Sequence, residues 1–424
     1  VAERVARALV LAAGLGLASA GAGRAAEPVN TCIDCHAAIG DPRITPPAQK
    51  IKDDVHLARG FACQSCHGGD PTVGDPDGSD GSMSKRKGFV GKPPRQAIPA
   101  LCGRCHSDAE FMKRYNPSMR VDQVQEYYTS VHGKRLRAGD PKAATCISCH
   151  SVHNIRAIKD QQAWTYPVQV AETCARCHAD PEYMAGRKLA TDQFARYRRS
   201  VHFELLTKQG DLSAPTCNSC HGNHGAAPPG LASVEFVCGQ CHAVFAEQFD
   251  RSPHKAAFER MGAAPCTTCH GNHEVERTSD AMLGLGGQAV CIGCHDAASA
   301  GGRKAEEMRA VIDGLRQAVA EAEALLRRAE QAGMEVSLPL FDLKGGTEAL
   351  IKARAAVHTF TLAAVKQEAD AGLAIAAAAR QKGERALADL QFRRKGLAAS
   401  LVIIGLVLAG LVLKIREVER RSRP

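Results

Sequence analysis

Three patterns of apolar and polar positions divide the chain. Gly396 to Leu413 is an unbroken run without a charged residue, Gly-Leu-Ala-Ala-Ser-Leu-Val-Ile-Ile-Gly-Leu-Val-Leu-Ala-Gly-Leu-Val-Leu. As a helix it is about 27 Å long, enough to cross the hydrocarbon layer of a bilayer. Arg393, Arg394 and Lys395 precede it, and Lys414, Arg416, Arg420, Arg421 and Arg423 follow it. The heavier positive charge behind the run places the tail on the cytoplasmic side. Residues 393–424 therefore read as a transmembrane helix with a cytoplasmic basic tail. Residues 301–392 carry a different rhythm. Met308, Ile312, Leu315, Val319, Ala322 and Leu326 recur every three or four positions, as do Ile351, Ala355, His358, Leu362, Val365 and Ala369. Both are apolar stripes at helical spacing. Gly333, Pro339, Gly345 and Gly346 separate them. The pattern predicts an antiparallel helical hairpin whose second arm runs on into the span as a stalk. At the other end, Arg4 and Arg7 precede an apolar run from Ala8 to Ala18 and an Ala/Gly-rich stretch. This is the layout of a secretory signal peptide, read here as residues 1–26.

Residues 27–300 carry neither rhythm. Aromatic residues make up only 4 % of the chain, with Trp164 the single tryptophan, too few to fill the core of a region this long. The expectation is short helices joined by extensive loops, with few or no strands. Residues 68–100, rich in Gly, Pro, Ser and Lys, read as a long surface loop. Much of the buried apolar surface must then come from a cofactor, without which the region is expected to be largely unfolded.

The cysteines name that cofactor. All 18 fall in nine Cys-x-x-Cys-His motifs: Cys32 and Cys35 with His36, Cys63 and Cys66 with His67, Cys102 and Cys105 with His106, Cys146 and Cys149 with His150, Cys174 and Cys177 with His178, Cys217 and Cys220 with His221, Cys238 and Cys241 with His242, Cys266 and Cys269 with His270, and Cys291 and Cys294 with His295. This is the attachment signature of c-type haem: two sulfurs bond the porphyrin edge and the adjacent histidine becomes an axial iron ligand. Half a zinc site or a thioredoxin-like pair does not require a histidine after the second cysteine each time. A disulfide framework does not repeat one local spacing. The expectation is nine c-type haems, with the nine motif histidines as proximal ligands. The net charge of +9 is then offset by haem propionates and is not read as nucleic-acid binding.

The motifs form a repeat. One unit is Ser-Val-His132, Cys146–His150 with His153 three residues on, then Cys174–His178. The next has Ser-Val-His202, Cys217–His221, His224 and Cys238–His242. The third has Ser-Pro-His254, Cys266–His270, His273 and Cys291–His295. An earlier unit is degenerate: His56, Cys63–His67, then Gly68-Gly69-Asp70 where the next histidine should stand, and Cys102–His106. Cys32–His36 precedes it alone. A histidine three residues after a proximal one cannot reach around the same porphyrin, so each should serve a different haem. His56, His132, His153, His202, His224, His254, His273 and His358 are the distal candidates. With 17 histidines in all, nine proximal ones leave eight, and one haem lacks a distal histidine. Met112 and Met184, at matching offsets after His106 and His178, read as packing residues more readily than as ligands.

The Ser-x-His and Cys-x-x-Cys-His-Gly-Asn-His units resemble the bacterial multihaem c-type cytochromes over residues 30–296. The resemblance implies a mainly α fold with extensive loops, organised as a multihaem array over 27–300 and followed by the hairpin and the membrane helix. It implies a membrane-tethered protein of the cell inner membrane, with its haem domain on the periplasmic side. Such a protein passes electrons between a quinol-linked membrane donor, such as a quinol-oxidising complex or cytochrome b, and periplasmic redox partner proteins. No catalytic side chain is assigned. The alternative is a multihaem reductase with one open iron acting on hydroxylamine or a small nitrogen or sulfur oxyanion.

Overall fold

The computed structural model describes residues 30–228, 231 and 233–421. The expected signal peptide, residues 1–26, lies outside the described residues, as do the last three of the basic tail. The described residues are mainly helical and contain no strand. They fall into two units: residues up to 104 together with 145–163, and residues 105–144 together with 164 onward.

In the first unit, the motif helix Thr31–Ala38 is tied to the 68–100 loop. The Thr31 hydroxyl donates to the carbonyls of Pro71 and Val73 at 3.0 and 2.8 Å. That loop is irregular, as expected, and closes back on the second motif through Val90 N–H to the His67 carbonyl at 2.9 Å. Buried Asp54 anchors the far segment by accepting from the Ile155 amide at 2.8 Å, beside Val55 N–H to the Ile155 carbonyl at 2.7 Å.

In the second unit the repeat is visible as local chemistry. Ser130 and Ser200 cap the helices Val131–Arg137 and Val201–Lys208 by accepting from Gly133 N–H and Phe203 N–H. A Ser-x-His sequence is thus a helix start that fixes its histidine in the first turn. Four residues on, Leu136, Leu206 and Phe258 are buried on the same helix face as His132, His202 and His254, so burial of the apolar residue orients the imidazole. The Tyr127 and Tyr197 hydroxyls donate to the carbonyls of Ala144 and Pro215 at 2.6 and 2.8 Å, closing each connection toward the next motif. Asp108 and Asp180 cap the short helices Ala109–Lys113 and Pro181–Met184, which bury Met112 and Met184 as packing residues.

The haem-free region is a three-helix arrangement. Ala300–Gln331 runs out, Lys344–Ala356 runs back, and Leu362–Arg421 runs out again. Leu315 and Leu325 lie against Gly372 and Gly383 in order, so the two long helices are parallel; Gly345 meets Ile375 and Ala349 meets Gly372, so the middle helix is antiparallel. The first apolar stripe, Met308 to Leu326, is buried as expected. The second differs. The expected single arm breaks at Val357–Thr361, where Phe360 adopts the left-handed region (φ 51°). Ile351 is 59 % exposed, and the buried stripe is Ala349, Leu350, Ala353 and Ala356, resuming at Val365 and Ala369. The cause is the left-handed step: it resets the helical phase, so a stripe counted across it mixes two faces. The final helix then continues without a break as the expected stalk. Its apolar window has a mean hydropathy of 2.7 and no burial, which makes it long and apolar enough to cross a membrane.

Small residues set the helix spacing in this bundle. A Cβ at Gly372 would lie 2.8 Å from both Leu315 Cδ1 and Ala349 Cβ. Gly372→Leu is expected to destabilise the bundle by about 1–3 kcal/mol through overpacking, read as a lower midpoint in thermal unfolding followed by circular dichroism.

Candidate haem-binding sites

The motif helices are short because their sequence starts and stops them. Thr145 and Thr216 form capping boxes with Ser148 and Ser219, so the serine inside Cys-x-Ser-Cys-His is a capping partner. At four motifs the residue after the proximal histidine takes a positive φ: Gly68 (70°), Ser151 (66°), Gly222 (76°) and Gly271 (71°). This region favours glycine. It ends the helix and redirects the chain, and at the last three of these motifs it carries the histidine three residues on away from its own motif.

His153 and His273 reach other motifs. His153 faces His67 with ring centroids 6.0 Å apart and planes 20° from parallel, and His273 faces His221 with the same two values. The Ser-x-His histidines pair differently: His132 with His178 at 6.0 Å and 63°, His202 with His242 at 6.5 Å and 39°, and His254 with His295 at 6.0 Å and 76°. His358, from the break in the helical bundle, faces His270 at 6.1 Å and 19°. Two metal–imidazole bonds of about 2 Å each, plus the inner halves of two rings, span about 6 Å. Six pairs with that separation fit one iron between each two rings, and in each pair one ring belongs to a Cys-x-x-Cys-His motif.

The remaining expected ligands take these positions. His56 Nδ1 lies 2.9 Å from Asp54 Oδ1. The His224 amide donates to Asn223 Oδ1 at 2.9 Å, as that of His273 does to Asn272 at 2.7 Å, shaping the same Gly-Asn-His turn twice. His36 ends its motif in Thr31–Ala38, where its carbonyl accepts from the Thr45 hydroxyl at 3.0 Å. No two of the eighteen cysteines are joined in a disulfide.

Electrostatics suits ligation. Burial holds the imidazoles of His132, His153, His178, His202, His221, His224, His254, His270, His273 and His358 below their ordinary pKa. They are therefore neutral at neutral pH, the form that binds a metal. Several rings are also fixed through their other nitrogen. His67 Nδ1 is 2.7 Å from the Gly91 carbonyl and His358 Nδ1 is 3.1 Å from the Ala355 carbonyl, which leaves Nε2 to face the partner ring. The sequence reading did not anticipate these orienting groups; an aspartate two residues before His56 was the only local signal. Phe360 was also missed: its ring lies 3.8 Å from that of His254, and Phe245 lies 4.9 Å from His358.

Six of the eight pairs of successive motifs are neighbours. The thiols of Cys102 and Cys146, of Cys174 and Cys217, and of Cys238 and Cys266 share hydrogen bonds. Cys63 lies within the field of Cys32, Cys220 within that of Cys238, and Cys269 within that of Cys291. Groups attached at such sulfurs would lie nearly edge to edge, and the arrangement can relay electrons.

Comparison with known families agrees. Residues 254–300 match the model of the doubled CXXCH motif, and residues 18–68 match that of cytochrome c554 and c-prime. These matches cover part of the chain and, together with the motifs, support a multihaem c-type cytochrome, a class whose chemistry is electron transfer through iron. Neither the curated proteins nor the solved structures give a significant match.

The turn after the proximal histidine is testable. A Cβ at Gly271 would sit 3.1 Å from the Glu274 carbonyl oxygen at a φ that side chains rarely adopt. Gly271→Val is expected to cost about 1–3 kcal/mol and to loosen His273, seen as a lower melting temperature and a new high-spin haem signal.

Proposed function

We propose that the chain is a nine-haem, membrane-tethered cytochrome that carries electrons between a quinol-linked donor in the inner membrane and redox proteins of the periplasm. The observation that carries this reading is the set of six imidazole pairs at 6.0 to 6.5 Å. An iron between two imidazoles is closed to substrate and suited to passing electrons. In this reading the proximal ligands are the nine motif histidines. His153, His132, His273, His202, His358 and His254 close the irons held by His67, His178, His221, His242, His270 and His295 respectively. His56 and His224 occupy equivalent repeat positions and act as distal ligands too. When bound, the haems supply the redox chemistry; the protein's part is to hold imidazoles neutral, oriented and in register.

The tether supports the same reading. Asp280, just before the ninth motif, receives both guanidinium nitrogens of Arg354 at 2.8 and 2.7 Å, and its carbonyl accepts from Arg309. The last haems are thereby clamped to the bundle that leads into the apolar span. The basic residues behind that span favour a cytoplasmic tail and a periplasmic haem domain. Electrons from the membrane would meet this end of the array first.

The shortfall of one distal histidine favours a second reading, a reductase acting on hydroxylamine or a small nitrogen or sulfur oxyanion. Spectroelectrochemical titration of the purified protein separates the two. The carrier reading expects nine irons per chain, reversible stepwise reduction and no turnover of nitrite, hydroxylamine or tetrathionate. Sustained turnover of any of these would replace it.

Two further outcomes are expected. His358→Ala should add one high-spin iron and raise the potential of one haem, leaving the others unchanged, as read by electron paramagnetic resonance during a redox titration. The full chain should resist carbonate extraction from membranes, and a chain ending at Phe392 should be released.

A further inference from the structure

Eight extra histidines cannot close nine irons, and the ring pairs decide where the shortfall falls. Two rules describe the pairs inside the haem region. A histidine of the Ser-x-His type pairs with the second motif of its own unit, as His132, His202 and His254 do. A histidine three residues after a first motif pairs with the first motif of the preceding unit, as His153 and His273 do. After the last unit the helical bundle supplies His358 in the same role, with the same near-parallel rings.

Applied toward the N-terminus, the second rule assigns the ligand for a motif preceding Cys63–His67 to residue 70, three residues after His67. That residue is Asp70. Its carboxylate accepts from the Thr72 amide at 3.0 Å, the Thr72 hydroxyl at 2.6 Å and the Lys87 ammonium at 3.0 Å. It is also near the first motif: the carbonyl of Pro71, the next residue, accepts from the Thr31 amide and the Thr31 hydroxyl, each at 3.0 Å. The first rule offers nothing either, because no histidine stands among residues 1–35. Asn30, two residues before Cys32, donates through its side chain to Gln64 of the second motif at 3.3 Å, so the first motif is a neighbour of the second and still within the array.

We propose that the iron attached through Cys32 and Cys35 has His36 as its sole protein ligand, and that its other face, edged by Asp70 and Lys87, binds a small π-acceptor molecule of the carbon monoxide and nitric oxide class. This assignment rests on the ligand scheme given above. Asp70 stands where the repeat places a distal histidine elsewhere. Its oxygens are engaged by Thr72 and Lys87, which keeps the carboxylate turned to its own loop. The 68–100 segment, absent from the later units, is what holds that pair in place. The array then has a closed run of irons beginning at His67 and an open iron before it, one neighbour away.

Carbon monoxide titration of the dithionite-reduced, full-length protein is the test. The expected result is one equivalent bound per chain, with one high-spin ferric iron in the oxidised protein. Asp70→His should abolish both by supplying the missing imidazole. A double Cys32→Ser and Cys35→Ser variant should also abolish both while losing one iron and keeping the low-spin signals of the rest. Absence of carbon monoxide binding in the unaltered protein overturns the proposal, as does a histidine–methionine spectrum that Met83→Leu removes. Binding that survives Asp70→His refutes the role of residue 70, and binding that survives the cysteine changes places the open iron elsewhere. The electron-carrier reading fails on a different result, slow or absent equilibration among the low-spin irons, so the two are judged separately.

Discussion

The proposed haem ligation depends on one distance, the separation of about 6 Å at which two imidazoles can share a metal. Its short helices, capped by Ser130, Ser200, Thr145 and Thr216, are too brief to stand alone. Their task is to bring rings on different segments to that spacing. The buried apolar side chains there are scattered, Leu136 and Leu206 among them, whereas the bundle from Ala300 onward holds one continuous core from Met308 to Ala379. One chain therefore uses two sources of stability. The bundle packs helix on helix through small residues, and in the proposed reading macrocycles fill the haem region.

Two local devices give two ring geometries. The positive-φ turn after a first motif, and its substitute at His358, bring the rings within about 20° of parallel. The serine-type helix start gives planes 39° to 76° apart. Because the two motif types alternate along the repeat, so do the ring angles over the last four motifs. Axial imidazole orientation and the groups behind it, such as the Gly91 carbonyl and the Ala355 carbonyl, are the means by which a protein tunes otherwise identical irons.

Much of this was legible in the sequence because it is written locally. A Cys-x-x-Cys-His motif, a Ser-x-His helix start and an eighteen-residue apolar run each declare themselves within a few positions. The absence of strands among the described residues followed from the scarcity of large apolar residues. What stayed hidden depends on residues far apart in the chain. No local pattern says that His153 belongs with His67, or that Arg354 clamps Asp280. The bundle was misread in one place for the same reason. The stripe through Ile351 and Ala355 keeps its period across Val357–Thr361, and only the left-handed step at Phe360 reveals that the phase is reset. His358 lay on a plausible apolar seam, yet it sits at the corner where the chain leaves the bundle core to meet a haem motif.

That corner has a consequence for maturation. His358 is translated after the ninth motif and just ahead of the helix that is long and apolar enough to cross a bilayer. With His358 as the partner of His270, the eighth motif acquires its second imidazole only when the C-terminal bundle has folded back upon the finished array. Biogenesis would thus end with a coordination bond that reports, in a single spectroscopic change, that both cofactor loading and membrane insertion are complete.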